Sequence, residues 1–354
     1  MLNNELEEYL TFDDVILLPG LSSLGPFDGN VKTRISKNVE IDLPIISSPM
    51  DTVTSLEMAI GMAKIGGIGI VHRNMTANEQ VQIIKNVKSL GLKVGAAVGP
   101  FDYEKIKALD GEGIDIILID VSHGMKTDII DSAMKIKNMI AADLICGSIG
   151  TKEAAAIYSD FADGLRVGVG PGSICTMRVM TGVGVPQLSA VQQVVQVAKA
   201  KKIPVISDGG IKNSGDIAKA IAAGADCVML GNLLSGLDES PGEVIEIEGK
   251  KFKKYRGMGS SDVLNLDIAA DRYEQKNISE KISMGVSGLV SYRGSLNSQI
   301  NQLVSGLKAA MGLIGAANID EIYTKSNFVR VTAASLRESH PHSLISYKSE
   351  KNYE

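Results

Sequence analysis

The sequence predicts an α/β protein built as a single (β/α)8 TIM barrel. Three observations carry that prediction. Eight short apolar runs, mostly β-branched, alternate with amphipathic stretches, the pattern of parallel strands buried on both faces between covering helices. Polar residues recur at the ends of those runs. Glycine is abundant at 37 residues and tryptophan is absent, a composition that suits many tight turns between strand and helix. An open doubly wound sheet would use the same elements and is the alternative.

The predicted strands are 44–50, 66–71, 93–99, 114–120, 143–149, 164–170, 204–210 and 227–232. Helical periodicity between them is clearest at 77–89, 126–140, 190–200 and 214–223. After the eighth strand the alternation breaks. Residues 243–255, EVIEIEGKKFKKY, read as a hairpin turning near 248–250. A polar stretch from about 259 to 287 lacks helix or strand pattern and has the length of a flap. A helix follows at 295–315, and the tail, about 335–354, is polar and irregular. The whole chain reads as one catalytic domain.

Composition narrows the function classes. Hydrophobic residues make up 44% and charged residues 22%, a globular balance. The formal net charge of −5 argues against a nucleic-acid surface. No apolar run approaches membrane-span length and residues 1–10 are polar and acidic, so the expectation is a cytoplasmic protein with neither anchor nor leader. Three cysteines, Cys146, Cys175 and Cys227, cannot all pair, which points to reduced thiols. Four histidines and no two nearby cysteines leave no zinc-like spacing.

The residues at strand ends are Ser48, Asp120, Ser148, Asp208 and Asn232. In a (β/α)8 barrel those ends form the active-site face, although any one of them could instead cap the next helix. Residues 167–178, VGVGPGSICTMR, place Cys175 just past a strand, in a glycine-rich loop with Arg178 close enough to favour thiolate. Cys175 is therefore a candidate nucleophile, against the plainer reading of a small buried thiol that fits Cys146 and Cys227. SDGG at 207–210 and LGN at 230–232 follow strands seven and eight, where barrels often bind phosphate; tight turns are the alternative reading. Asp208 beside them suits a ribose hydroxyl pair. No G-x-G-x-x-G opens a helix, so a nicotinamide cofactor would bind outside a Rossmann domain.

Taken together, LTFDDVILLP (10–19), SSPMDTVT (47–54), GGIGIVHRNM (66–75), GPGSICTMR (170–178), SDGGI (207–211), YRGMGS (255–260) and ESHPH (338–342) resemble the IMP dehydrogenase and GMP reductase family over nearly the whole chain. The tandem CBS regulatory module that usually interrupts this barrel after the second strand has no counterpart, since 86–93 joins helix directly to strand three. The resemblance implies IMP bound through its phosphate on Ser173, Gly209, Gly210, Gly231 and Tyr255, with Asn232 and Gly259 in the same set. It places Asp208 and Ser48 on the ribose, and Met50, Gly257 and Met258 near the base. Asp120, Ser122 and Gly168 would lie on the NAD side. The implied chemistry is attack of the Cys175 thiolate on C2, hydride loss to NAD, then hydrolysis of a covalent XMP thioimidate. Arg272 and Tyr273, in DRYEQ (271–275), would position and activate the water. A potassium ion would sit on the carbonyls of Gly170, Gly172 and Cys175, completed by Glu338, Ser339 and His340 of a neighbour in a homotetramer.

The flap pair and ESHPH favour the dehydrogenase over a GMP reductase using NADPH, whereas TGVG (181–184) and the Asp120–Val121 pair lean the other way. Three residues depart from the family pattern: Met177 for Thr, Met284 for Glu or Gln, and Ser148 for Asn. The two methionines motivate a further alternative, a catalytically weak purine-nucleotide-binding protein.

Overall fold

The computed structural model describes residues 6–265, 270–273, 275 and 281–343. Eight parallel strands close into a barrel: β1 (Ile45–Ser47), β2 (Ile68–Val71), β3 (Gly95–Val98), β4 (Ile116–Ile119), β5 (Asp143–Ile149), β6 (Gly164–Val167), β7 (Val205–Asp208) and β8 (Cys227–Leu230). They pair in sequence order, and β8 pairs back onto β1 through Val228 and Ile45. Each lies inside its predicted run, and the closure excludes the open sheet. Most runs overshoot their strands because the polar end residues already belong to the loops.

The helices are α1 (Leu56–Lys64), α2 (Ala77–Ser89), α3 (Tyr103–Gly111), α4 (Thr127–Lys137), α5 (Lys152–Tyr158), α6 (Gln187–Ala198), α7 (Ser214–Ala222) and α8 (Leu296–Ile314). α2 shows why they form. Gln80, Ile84 and Val87 bury one face at helical spacing. Thr76 and Glu79 cap its start reciprocally, Glu79 N donating to Thr76 Oγ1 at 3.3 Å and Thr76 N to the Glu79 carboxylate at 2.8 Å. From α2 the chain enters β3 through residues 90–94, with no inserted module. α8, far along the chain, packs against α7 and α1 and completes the ring.

Inward-facing residues fill the lumen. Ile46, Ile68, Ile70, Ala97, Ile116, Leu118, Ile145, Ile206, Cys227 and Met229 form one apolar cluster, plugged by Ile35 and Ile41. Ile41 comes from a two-stranded ribbon, Thr33–Arg34 with Glu40–Ile41, and Ile35 follows directly on its first strand. At the opposite, C-terminal end the aliphatic filling gives way to Arg166 and Asp120, both buried.

Beyond β8 the predicted hairpin is present as β9 (Ile245–Ile247) and β10 (Lys250–Arg256), turning through Glu248 and Gly249 in left-handed conformation. A third strand, β11 (Ser287–Ser291), pairs with β10; its sequence, SGLVS, carries too little apolar alternation to be read in advance. The tail is less irregular than expected. A helix at Ala333–Glu338 starts where Ser335 N donates to Thr332 Oγ1 at 3.3 Å. Just before it, Phe328–Arg330 pairs with Val15–Leu17 and ties the two ends of the chain together. Residues 344–354 of the expected tail, and 266–269, 274 and 276–280 of the expected flap, lie outside the described residues. Among the described residues no helix is long and apolar enough to cross a membrane.

Candidate active site

The C-terminal mouth of the barrel opens into a cavity of about 380 Å³. Ser48, Met50, Ser173, Asp208, Gly209, Gly210, Gly231, Asn232, Tyr255, Gly257, Met258 and Gly259 all line it, as do Gly168, Ser122, Cys175, Arg272 and Tyr273. The strand-end alternative of helix capping does not hold for Ser48, Asp120, Ser148, Asp208 or Asn232. The following helices start instead at Ser55, Lys126, Thr151, Asn213 and Gly231.

Cys175 sits in the loop between β6 and a short helix, Met177–Thr181, and is half-buried. Its amide donates to Gly172 O at 3.0 Å, turning the loop tightly. The loop is zipped to the end of the expected flap stretch: Thr176 N donates to Met284 O at 3.1 Å and Val286 N to Ile174 O at 3.0 Å. Arg178 is hydrogen-bonded to the backbone as well as acting electrostatically on the thiol, as expected. Its Nε donates to Val169 O at 3.1 Å and its Nη2 to Val185 O, so the guanidinium staples the loop and reaches the thiol only through space. Cys146 and Cys227 are fully buried in β5 and β8, where desolvation pushes both thiols up and out of nucleophilic range.

The turns after the neighbouring strands β7 and β8 both line the cavity. Gly209 and Gly210 have φ of 94° and 79°, a left-handed pair that glycine adopts without strain. A Cβ on Gly231 would lie 3.0 Å from the Tyr255 hydroxyl, so the two are near neighbours. The Tyr255 phenol is buried and its acidity suppressed by burial, partly offset by a hydrogen bond with Ser173. It is therefore a neutral hydrogen-bonding group beside the glycine turns.

Beneath the cavity lies an ionic cluster that sequence reading only half found. Asp120, at the end of β4 and fully buried, is 2.9 Å from the Arg166 guanidinium and 3.9 Å from that of Arg73, and it pairs with Arg272. Burial opposes its charge, but Arg272, Arg166 and Arg73 outweigh it and hold the carboxyl below its usual range. Asp208 is 3.5 Å from Arg166; burial raises it, opposed by Arg166 and Arg272. Arg166 had no sequence signal of its own, since one cation in an apolar strand is also what an inner barrel ion pair looks like. Gln187 was likewise missed. It is buried at the start of α6 and donates to Val167 O at 2.9 Å and Asp208 O at 3.2 Å, joining the ends of β6 and β7.

Arg272 reaches the cluster from the short turn Ala270–Tyr273. Its side chain pairs with Asp120, and its carbonyl accepts from Ser122 Oγ at 3.4 Å. Burial disfavours its charge, but Asp120 first, then Tyr273, Asp208 and Cys175, hold the guanidinium protonated. Burial keeps Tyr273 neutral, opposed by Arg272. Met177 and Met284 line the same wall. Glu338, Ser339 and His340 are exposed and do not line the cavity within this chain.

The chain matches a model described as the IMP dehydrogenase / GMP reductase domain over residues 9–342. Curated relatives named inosine-5'-monophosphate dehydrogenase include one from Borreliella burgdorferi, 40% identical over 98% of this chain and 100% of its own length. Another, from Cryptosporidium parvum, is 39% identical over 97% of each chain. A third, from Halobacterium salinarum, is 35% identical over 98% of this chain and 95% of its own. That last alignment spans 477 positions against the 354 residues of this chain, whereas the Cryptosporidium alignment needs only 390, so the shorter layout is shared with a relative.

Proposed function

The chain belongs to the IMP dehydrogenase / GMP reductase family, and from that premise we propose that it oxidises IMP to XMP with NAD through a covalent adduct on Cys175. The observation that carries this reading is the seat of Arg272. The flap residue engages Asp120 and Ser122, two of the three positions expected on the cofactor side. A hydrolytic step needs such a pair of groups beside the nucleophile, and a reductase does not.

The substrate phosphate is held by the N–H groups of Gly209, Gly210 and Gly231 with Ser173 and Tyr255, and the ribose hydroxyls by Asp208 and Ser48. Met50, Gly257 and Met258 flank the base and direct its C2 toward Cys175. The thiolate adds to C2, and the hydrogen on C2 then leaves with its electron pair, so a C2–S bond replaces the C2–H bond. Splitting oxidation and hydrolysis in this way gives two easier steps. Ser122 lines the cavity and Asp120 lies beneath it, covered by Arg272; once that cover moves, the carboxylate and the hydroxyl would suit the ribose diol of a nicotinamide nucleotide. That cofactor, when bound, accepts the hydride. Once the flap takes its place, water adds to C2, the C2–S bond breaks, and Cys175 is restored.

Arg272 orients the water as a cation in the closed arrangement. To accept a proton it must first part from Asp120, whose charge holds that proton in place. The carbonyls of Gly170, Gly172 and Cys175 are the donors proposed for potassium, and the exposed tail residues Glu338, Ser339 and His340 would complete the site from a neighbouring copy in a tetramer.

Purified protein mixed with IMP and NAD tests the reading by absorbance of the reduced cofactor. Sustained reduction is expected. Oxidation of NADPH with GMP instead would make it a reductase, and nucleotide binding without turnover would make it a binding protein.

A further inference from the structure

Arg166 is a guanidinium set into the top of the barrel lumen, its side chain 2% exposed. It lies on β6 in register with Ile206 of β7, and Asp208 stands two residues further on the same inward face. Asp120 ends β4, so β5 lies between it and Arg166. The path across β5 passes over Gly147, where a Cβ would come within 2.7 Å of Arg166 Cβ and 2.5 Å of its carbonyl oxygen. β5 is bare at the one place where the arginine stem crosses it.

The surroundings are aliphatic, with Ile145 and Leu118 beneath and Ile206 alongside. An apolar side chain at 166 would fill that space without the desolvation cost of a buried charge. What the charge does there is set by its partners. One guanidinium nitrogen lies 2.9 Å from Asp120 and another 3.5 Å from Asp208. These are the carboxylates assigned above to the cofactor side and to the substrate ribose. Three charged groups bear on Asp208: Arg166 from β6, Arg272 from the flap, and Asp120. Asp120 faces Arg272, Arg166 and Arg73.

We propose that Arg166 is a positioning residue that bridges the substrate carboxylate Asp208 and the cofactor carboxylate Asp120, keeping both charged and aimed when the flap withdraws Arg272. The proposal rests on the functional reading above. The planar fork of arginine is what makes the bridge, because its nitrogens serve two carboxylates at once, whereas a lysine ammonium is a single point charge. The sign of the effect follows. Without the cation, Asp208 holds its proton to higher pH, and a protonated carboxyl accepts ribose hydroxyls poorly. Binding of IMP would therefore be lost on acidification from a higher starting pH.

Three variants test this: Arg166→Met, Arg166→Lys and Asp208→Asn. The readouts are the Kd of IMP by calorimetry from pH 5.5 to 8.5, and KM for NAD. Arg166→Met should weaken IMP most at the acid end, approaching about tenfold for each unit that the Asp208 midpoint moves once the pH lies below the parent midpoint, and least at pH 8.5. It should also raise KM for NAD. Arg166→Lys keeps the charge that the fold tolerates and should restore one readout but not both. A loss with Arg166→Met that does not vary with pH would overturn the proposal. So would wild-type behaviour of Arg166→Lys in both readouts, or failure of Lys to restore either. Should Arg166→Met not fold, Arg166→Lys alone decides by the same outcomes. Asp208→Asn separates the two levels. Undiminished IMP affinity in that variant refutes the ribose assignment itself, whereas weakened affinity there with an unshifted profile in Arg166→Met refutes only the bridge.

Discussion

Arg272→Ala removes the flap side chain that occupies Asp120. A charge-assisted hydrogen bond contributes about 1.5–3 kcal/mol. At about 1.4 kcal/mol per tenfold, deleting it moves the flap toward its open arrangement by roughly 10- to 150-fold. The fold should lose little, because Asp120 keeps Arg166 at 2.9 Å and Arg73 at 3.9 Å. Hydride transfer should also be spared, since Cys175 and the substrate turns are untouched. The water step should fall by about two to four orders of magnitude, the usual scale for a lost proton-handling group. Met177 and Met284 sharpen that expectation: both line the wall beside the nucleophile, and a thioether cannot relay a proton. The assay is rapid mixing with IMP and NAD. One equivalent of reduced cofactor per active site should appear at the wild-type rate and then stop. Intact-mass analysis of the quenched protein should show the chain heavier by the nucleotide less two hydrogens, the composition of a thioimidate. Brisk steady turnover would refute the assignment of Arg272 to the water step. Absence of the burst would move the residue to hydride transfer or to folding.

Cys175→Ala should leave a cooperative thermal transition like that of the parent and abolish cofactor reduction; turnover near the parental rate would end the covalent mechanism. Activity should be higher in potassium than in lithium salts at equal ionic strength, and equal rates would count against a functional carbonyl site in the nucleophile loop. His72 gives a pH-dependent stability. It is buried, its Nδ1 accepts from Asn74 N at 3.2 Å, and burial pushes it down to about 4, opposed by Asp51 and reinforced by Lys105 and Arg256. The unfolded chain takes up that proton near pH 6.5 and the folded chain only near 4, so the stability that neutral His72 carries is lost as pH falls through this window, by about 3 kcal/mol. Urea unfolding at pH 7 and 4.5 should show a smaller acid loss in His72→Asn, which retains an acceptor for Asn74; equal losses would show that His72 is not the group responsible.

The barrel was legible because its signals are local. A parallel strand buried on both faces announces itself as a short β-branched run, and all eight runs contain their strands. Elements whose stability comes from distant partners were not. Val15–Leu17 and Phe328–Arg330 pair with each other across almost the whole chain, and neither has an apolar alternation of its own. β11 exists because β10 offers it an edge. The cavity divides along the same line. Glycine turns after β7 and β8, and a cysteine in a glycine-rich loop, carry their chemistry in neighbouring residues. The charge cluster does not: Arg166, Asp120, Asp208 and Arg272 come from three strand ends and the flap, and only closure of the barrel brings them together.

The same difference separates what sequence says of two arginines from where their donors go. Arg178 stands three residues after Cys175, and proximity in sequence suggested a partner for the thiol. The tight turn at Gly172 and the short helix after Cys175 instead aim its donors at Val169 and Val185. Arg272 is the second case. Burial disfavours its charge, but burial beside Asp120 favours it more, and the balance is set by a carboxylate about 150 residues away in the chain. The charge state of the flap arginine therefore follows from the partner it meets rather than from burial alone, and no run of residues around position 272 names that partner.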